Sequence, residues 1–286
     1  MILSPRSWLF VPADRPERIA KALASGADAV IVDLEDSVAP GAKADARHAA
    51  GEALAVAAPG AQRWLRLNPL GSDWFEDDLT AARHMALDGV VLPKAESGAD
   101  VAKLAGWLQG TELRIHAIVT ETARSLFGLG TYGEAGERLA AMSWGAEDLS
   151  AALGASSKLD ASGALSFTYG MARSLTLAGA VAAGAQAVDG IHGDIRDLDG
   201  LAADARAARA EGWGGKLAIH PAQVAVINEA WTPTPAELDA ARRVVDAFAG
   251  GAGVVQLDGR MLDRPHLVQA ERVLALAAAG RATSAR

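Results

Sequence analysis

The stretch Trp8-Leu9-Phe10-Val11-Pro12-Ala13-Asp14-Arg15-Pro16 decides between two α/β architectures. Trp8–Val11 is a short, continuous apolar run, as expected of a strand buried on both faces. An open, doubly wound sheet would place a glycine-rich phosphate loop after such a strand. Here two prolines, an acid and an arginine follow it, and Pro16 after Asp14 reads as a helix start. The isolated Gly128-Leu129-Gly130 is too weak a fingerprint to restore the open-sheet reading.

Outward from this stretch, seven more apolar runs follow. They are Ala29–Asp33, Trp64–Leu67, Gly89–Leu92, Arg114–Val119, Ala141–Trp144, Ala185–Ile191 and Leu217–Ile219. Ala-rich amphipathic segments such as Pro16–Ala24, Phe167–Ala183 and Leu201–Glu211 separate them. Eight strand–helix units over roughly 230 residues predict an α/β fold, a (β/α)8 TIM barrel. The alternation stops near residue 232, at the linker Thr232-Pro233-Thr234-Pro235. A helix over Ala236–Ala249, a strand over Val254–Leu257 and a helix from Pro265 are expected beyond it. Residues 1–232 are thus expected to form the catalytic barrel. Residues 233–286 form a C-terminal helical extension that packs on the barrel or at a subunit interface.

Composition narrows the chemistry. The 286 residues contain no cysteine, so thiolate metal sites, disulfides and a cysteine nucleophile are excluded. The net charge of −8 argues against nucleic acid as a partner. No apolar run is long enough to span a membrane, and no export signal is visible, so a cytoplasmic location is the default expectation.

In a barrel, chemistry sits at the carboxyl ends of the strands. Nearly every predicted strand here runs into an ionisable group: Asp33-Leu34-Glu35-Asp36, Arg66-Leu67-Asn68, Pro93-Lys94-Ala95-Glu96, Thr120-Glu121, Ala146-Glu147-Asp148, Asp189 with His192, and His220-Pro221. Glu121 and Asp148, on adjacent strands, are candidate ligands for Mg²⁺, a hard ion that keeps several waters. Glu35, Asp36 and Glu147 could orient those waters. The competing reading makes these carboxylates helix N-caps. Arg66 could clamp a substrate carboxylate or simply pair with Glu35 or Asp36. His220 reads as structural, Lys94 and Glu96 as a solvated loop, and Trp144 and Trp213 as packing. Ser143 lacks the setting of a serine nucleophile.

The order of motifs resembles the citrate lyase beta-subunit-like family of the HpcH/HpaI aldolases, with its malyl-CoA and citramalyl-CoA lyases. Arg6-Ser7-Trp8-Leu9-Phe10-Val11-Pro12, Asp33-Leu34-Glu35-Asp36-Ser37-Val38, Arg66-Leu67-Asn68, Leu92-Pro93-Lys94-Ala95-Glu96, Glu121-Thr122-Ala123 and Gly145-Ala146-Glu147-Asp148-Leu149 carry the resemblance. Ile219-His220-Pro221-Ala222-Gln223 and Asp258-Gly259-Arg260-Met261-Leu262-Asp263-Arg264-Pro265 extend it to nearly the whole chain.

The resemblance implies Mg²⁺, a CoA thioester substrate, a small oxo-acid and a homo-oligomer, a trimer or hexamer. By motif position it implies Glu121 and Asp148 as metal ligands, with Glu121 also touching substrate. It implies Arg66 as the group that binds the oxo-acid or thioester oxygen. Phe10, Lys21, Glu147, Ile219 and His220 fall where the family contacts CoA. Asp263 matches an aspartate that reaches an active site from the C-terminal extension, often a neighbouring subunit's. A second family lysine near the CoA is Glu17 here, a departure in the expected phosphate contacts.

The reaction so implied is cleavage or formation of a C–C bond in malyl-, citramalyl- or 3-hydroxy-3-methylglutaryl-CoA, with Asp263 as acid. Two alternatives stand beside it. One is a subunit of a citrate lyase complex acting on an acyl-carrier-protein thioester. The other is a malate-synthase-like or thioesterase net reaction.

Overall fold

The computed structural model describes residues 4–56 and 60–284, with backbone alone for 279–284. It contains two compact units, Ser4–Ile227 and residues 228–284. In chain order the first unit builds β1 (Ser7–Pro12), α1 (Pro16–Leu23), β2 (Ala29–Asp33), α2 (Lys43–Ala55), β3 (Gln62–Arg66), α3 (Phe75–Ala82), β4 (Gly89–Leu92) and α4 (Gly98–Trp107). It continues through β5 (Arg114–Ile118), α5 (Ser125–Gly128), β6 (Leu139–Ser143), α6 (Ala146–Leu153), α7 (Phe167–Ala182), β7 (Gln186–Asp189), α8 (Leu198–Glu211) and β8 (Gly215–Ala218), and α9 (Pro221–Ala230) runs on past its end at Ile227. All eight strands are parallel and close into a barrel, β8 pairing back onto β1 through Leu217 and Trp8. The predicted (β/α)8 architecture is the observed one.

Strand alternation decides what fills the barrel. Trp8, Ala29, Ile31, Trp64, Val91, Ile118, Ala141, Val188 and Leu217 form one buried interior cluster, with Phe10 packed against it. Trp8 and Trp64 lie 5.0 Å apart between ring centroids, and the His116 ring stands edge-on to Trp8 at 4.6 Å. His116 was not singled out from the sequence. Its Nε2 lies 2.9 Å from Ser143 Oγ, and complete burial pushes its pKa down to about 3. It is a neutral imidazole inside an aromatic belt.

The second unit holds α10 (Pro235–Ala247), a hairpin of β9 (Val254–Leu257) and β10 (Arg260–Asp263), and α11 (Arg264–Ser284). A capping box fixes the start of α10. Thr234 accepts from Glu237 N–H at 3.2 Å, and Glu237 accepts from Thr234 N–H at 2.7 Å. β10 was not anticipated, although its turn was legible. Asp258 and Gly259 both take positive φ, 51° and 76°, as a type I′ hairpin demands. Among the described residues no helix is long and apolar enough to cross a membrane.

Candidate active site at the carboxyl ends of the strands

Ala29 and Ile31 face the barrel interior, so two-residue alternation brings Asp33 to the same face at the end of β2. Trp64 does the same for Arg66 on β3. The two side chains meet as a fork. Arg66 Nε donates to Asp33 Oδ1 at 2.7 Å and Nη2 to Oδ2 at 2.8 Å. Both are buried. Burial alone would raise the Asp33 carboxyl, but the Arg66 guanidinium outweighs it, helped by hydrogen bonds from Ser37 and Glu35, and holds it below the usual range. The Phe10 ring lies against the guanidinium, 4.9 Å from Arg66 Cζ.

Arg66 also reaches Glu35 at 2.8 Å and Asp36 at 3.5 Å, so the ion pairs weighed from the sequence both form. The Glu35 contact is close but not aligned as a hydrogen bond, and it leaves Glu35 Oε2 a buried acceptor without a donor. Burial raises the Glu35 carboxyl despite Arg66 and Lys94.

Lys94 corrects the reading of a solvated loop. Its ammonium binds Glu35, sits 3.0 Å from Asp148 Oδ1 and 3.9 Å from Asp36. Burial works against this charge, yet hydrogen bonding to Glu35 and the fields of Glu35, Glu121 and Asp148 raise its pKa. Its backbone is left-handed, φ 51°, an uncommon state outside glycine that costs roughly 1–3 kcal/mol where the surroundings hold it. Lys94 N–H donates to Glu121 Oε2 at 2.6 Å.

Glu121 is buried, and burial raises its carboxyl to about 8. Glu35 and Asp148 add to the rise, while Lys94 N–H and Arg66 oppose it. Gly145 makes room for this side chain, since a Cβ there would stand 2.6 Å from Glu121 Cγ. Gly145 N–H donates to Thr120 Oγ1 at 3.1 Å, which ties the loop after β6 to the end of β5. Asp148 follows in the first turn of α6. Asp33, Glu35, Asp36, Glu121 and Asp148 thus gather around Arg66 and Lys94, with the Lys43 ammonium acting on Asp33, Glu35 and Asp36 as well. A buried oxygen without a donor, a carboxyl driven upward and an all-oxygen donor set fit a hard divalent cation. Among the described residues no three His, Asp or Glu side chains form a preassembled cage.

Beneath this cluster lie Lys43, Asp78 and Arg47, which the sequence did not single out, and Asn68, which it named only within the Arg66-Leu67-Asn68 motif. Lys43 is buried and donates to Leu34 O (2.8 Å), Glu35 O (3.0 Å) and Asn68 Oδ1 (2.7 Å). Asn68 in turn donates from Nδ2 to Asp78 at 2.6 Å, and Asp78 pairs with Arg47. The Glu35 segment is therefore pinned from below. A lysine opening an amphipathic helix carries no signal of burial.

Other expected site residues lie elsewhere. Asp189 is not a rim group, because Val188 faces the interior and Asp189 consequently faces the helices. There it takes Lys216 Nζ at 2.8 Å, Arg173 Nε at 2.9 Å and Trp144 Nε1 at 2.9 Å. Trp144 and Trp213 are buried, as expected. Glu147 pairs with Lys158 on the following loop. Ile219 and His220 open α9, where Ile219 N–H donates to Gln223 and His220 Nδ1 accepts from Ala222 N–H. Lys21 lies exposed in the last turn of α1, about 7 Å of helix rise beyond Pro16. Asp263 ends β10 in the second unit, its Oδ1 2.6 Å from His266 Nδ1.

Comparison with known proteins gives this geometry a family. Residues 6–221 match the HpcH/HpaI aldolase/citrate lyase family, and residues 170–279 match a C–C bond lyase family of the TIM-barrel fold. A citrate lyase subunit beta-like protein of Mycobacterium tuberculosis is 41% identical over 277 residues, covering 97% of this chain and 96% of that protein. A (3S)-malyl-CoA thioesterase of Cereibacter sphaeroides is 34% identical over 279 residues, covering 96% and 95%. The crystal structure of protein CitE from Mycobacterium tuberculosis with magnesium, acetoacetate and coenzyme A superposes with a TM-score of 0.84 at 40% identity, covering 97% of this chain and 99% of that one. The chain belongs to the HpcH/HpaI aldolase/citrate lyase family and has the barrel of its C–C bond lyases.

Proposed function

We propose that the chain is a magnesium-dependent lyase. It would cleave, or in reverse form, the C–C bond of a carboxylate-bearing 3-hydroxyacyl-CoA such as malyl-, citramalyl- or 3-hydroxy-3-methylglutaryl-CoA. The observation that carries this reading is the buried pair of Arg66, oriented by the Asp33 fork, and Glu121, raised to about 8 beside Asp148. A fixed guanidinium suits an oxyanion, and the carboxylates suit a hard ion. The CitE structure from Mycobacterium tuberculosis holds magnesium, an oxo-acid and CoA together, the combination that such a reaction needs.

In this reading Glu121 and Asp148 would hold the ion. Glu35 and Asp36 would orient its waters, and Glu121 would also touch the substrate. When bound, the ion supplies Lewis-acid polarisation of the hydroxyl and carboxylate oxygens. Arg66 would bind the oxo-acid and stabilise the thioester enolate left when the C–C bond breaks. Phe10, Lys21, Glu147, Ile219 and His220 are proposed to contact CoA. Asp263 would give a proton to the enolate carbon and, in reverse, remove it. We assign residues 1–232 to the catalytic barrel and residues 233–286, which carry Asp263, to an extension at a subunit interface of a homotrimer or hexamer.

A panel of 3-hydroxyacyl-CoA thioesters, assayed with magnesium for oxo-acid release, tests the proposal. Oxo-acid and acyl-CoA in equal amounts support it, and no C–C cleavage of any member refutes it. The Cereibacter relative favours a second reading, thioester hydrolysis, which free CoA with intact malate would reveal. Activity only on a carrier-protein thioester would favour a subunit of a citrate lyase complex; the chain is 30% identical to the citrate lyase subunit beta of Leuconostoc mesenteroides.

A further inference from the structure

The Asp263 carboxyl does not stand alone. His266, in the first turn of α11, turns Nδ1 back to Asp263, 2.6 Å from Oδ1 and 3.2 Å from the Asp263 backbone nitrogen. A ring nitrogen has one in-plane direction. It cannot accept from the backbone N–H and donate to the carboxylate at once. If Nδ1 accepts, Oδ1 carries the proton and donates it to the ring. If Nδ1 carries the proton, the carboxylate accepts it. Both arrangements place one proton between the same two atoms at a separation typical of charge-assisted contacts. The side chains are 55% and 48% exposed, so water reaches the ring while the contact holds.

We propose that His266 is the positioning residue of the acid step, aiming the Asp263 carboxyl and supplying it with the proton that it delivers. The inference rests on the reading of Asp263 as the acid. The shared proton goes from Asp263 Oδ1 to the enolate carbon, forming the C–H bond of the acyl-CoA. Carboxylate and neutral imidazole remain. The ring then takes one proton from a buffer acid through water and restores the pair. The hydroxyl proton lost from the substrate on C–C cleavage returns to the same buffer, so charge and protons balance and nothing is oxidised or reduced.

The test uses the full-length protein with magnesium and two readouts: steady-state turnover, and exchange of solvent deuterium into the α-carbon of the acyl-CoA product. H266Q keeps a hydrogen-bonding side chain at the start of α11 but cannot carry the proton, and H266A removes both. The expected result is a fall in kcat and in exchange of at least about tenfold for H266Q, with KM changed less than about twofold. Added imidazole should partly restore H266A and leave D263N inactive. Wild-type turnover and exchange in H266Q, or failure of imidazole to restore H266A, would overturn the inference while an inactive D263N leaves the Asp263 reading standing. Wild-type exchange in D263N would instead defeat the Asp263 reading itself. Circular dichroism shows whether H266A is folded; if it is not, H266Q alone decides.

Discussion

Asp189→Asn offers the most quantitative test of how the barrel is held together. Asp189 is buried, with Lys216 at 2.8 Å, Arg173 at 2.9 Å and Trp144 Nε1 at 2.9 Å. Burial alone would raise its pKa, but the charges and hydrogen bonds of Lys216 and Arg173 bring it down from 3.8 to about 2. At about 1.4 kcal/mol per unit, that drop corresponds to roughly 2–3 kcal/mol of folded-state preference for the carboxylate. The neutral amide also leaves Lys216, itself buried, with Asp204 as its remaining carboxylate partner. Breaking one side of a buried ion pair adds to the cost, so a loss of about 3–5 kcal/mol near pH 7 is expected. Because the folded pKa lies below the unfolded one, the contribution is fully present above about 4 and disappears as the pH falls toward about 2. The gap between wild type and D189N should therefore be flat from pH 7 to 5 and narrow by about 1 kcal/mol at pH 3. Urea unfolding at fixed pH values, followed by circular dichroism, measures it. A gap below about 1 kcal/mol at pH 7, or one that widens as the pH falls from 5 to 3, would refute the reasoning.

Other perturbations probe the site. Arg66→Lys keeps the charge but loses the fork to Asp33, and kcat/KM should fall by about 10²-fold or more, as steady-state kinetics will show. Gly145→Ala drives a Cβ to 2.6 Å from Glu121 Cγ. Calorimetry should find magnesium affinity reduced by at least about tenfold, and unchanged affinity would show that Glu121 can yield. Lys43→Met leaves Leu34 O, Glu35 O and Asn68 Oδ1 without the donor they share, and should cost about 3 kcal/mol or more in chemical denaturation.

The barrel was legible because its strands are apolar runs of fixed period, and the rim because charges cluster where those runs end. Glu121, Asp148 and Arg66 could be placed from that rule alone. Asp189 could not, since the end of an apolar run does not state which face its last residue takes. Val188 holds the interior position, and that fixes Asp189 outward. Lys94 looked like loop because its importance lies in a left-handed backbone and in partners on three other strand–helix units. Lys43 and Asn68 act through distant carbonyls and Asp78, contacts that no local pattern encodes. In the second unit, the exposed alternation of β10 hid a strand that the Asp258-Gly259 turn would have revealed.

The charge cluster takes Asp33, Arg66, Lys94, Glu121 and Asp148 from five successive strand–helix units, one from each. No fragment ending before β6 contains all of it. A chain emerging from the ribosome presents Asp33 and Glu35 first, Arg66 a unit later and Lys94 a unit after that. Every intermediate must keep these groups in water until the next partner arrives. Circular permutants whose new ends fall between β2 and β6 would separate that order of synthesis from the order of assembly. The parallel ladder already makes folding dependent on distant contacts, and the desolvated charges make the same closure dependent on Lys94 and Glu121 reaching their places together.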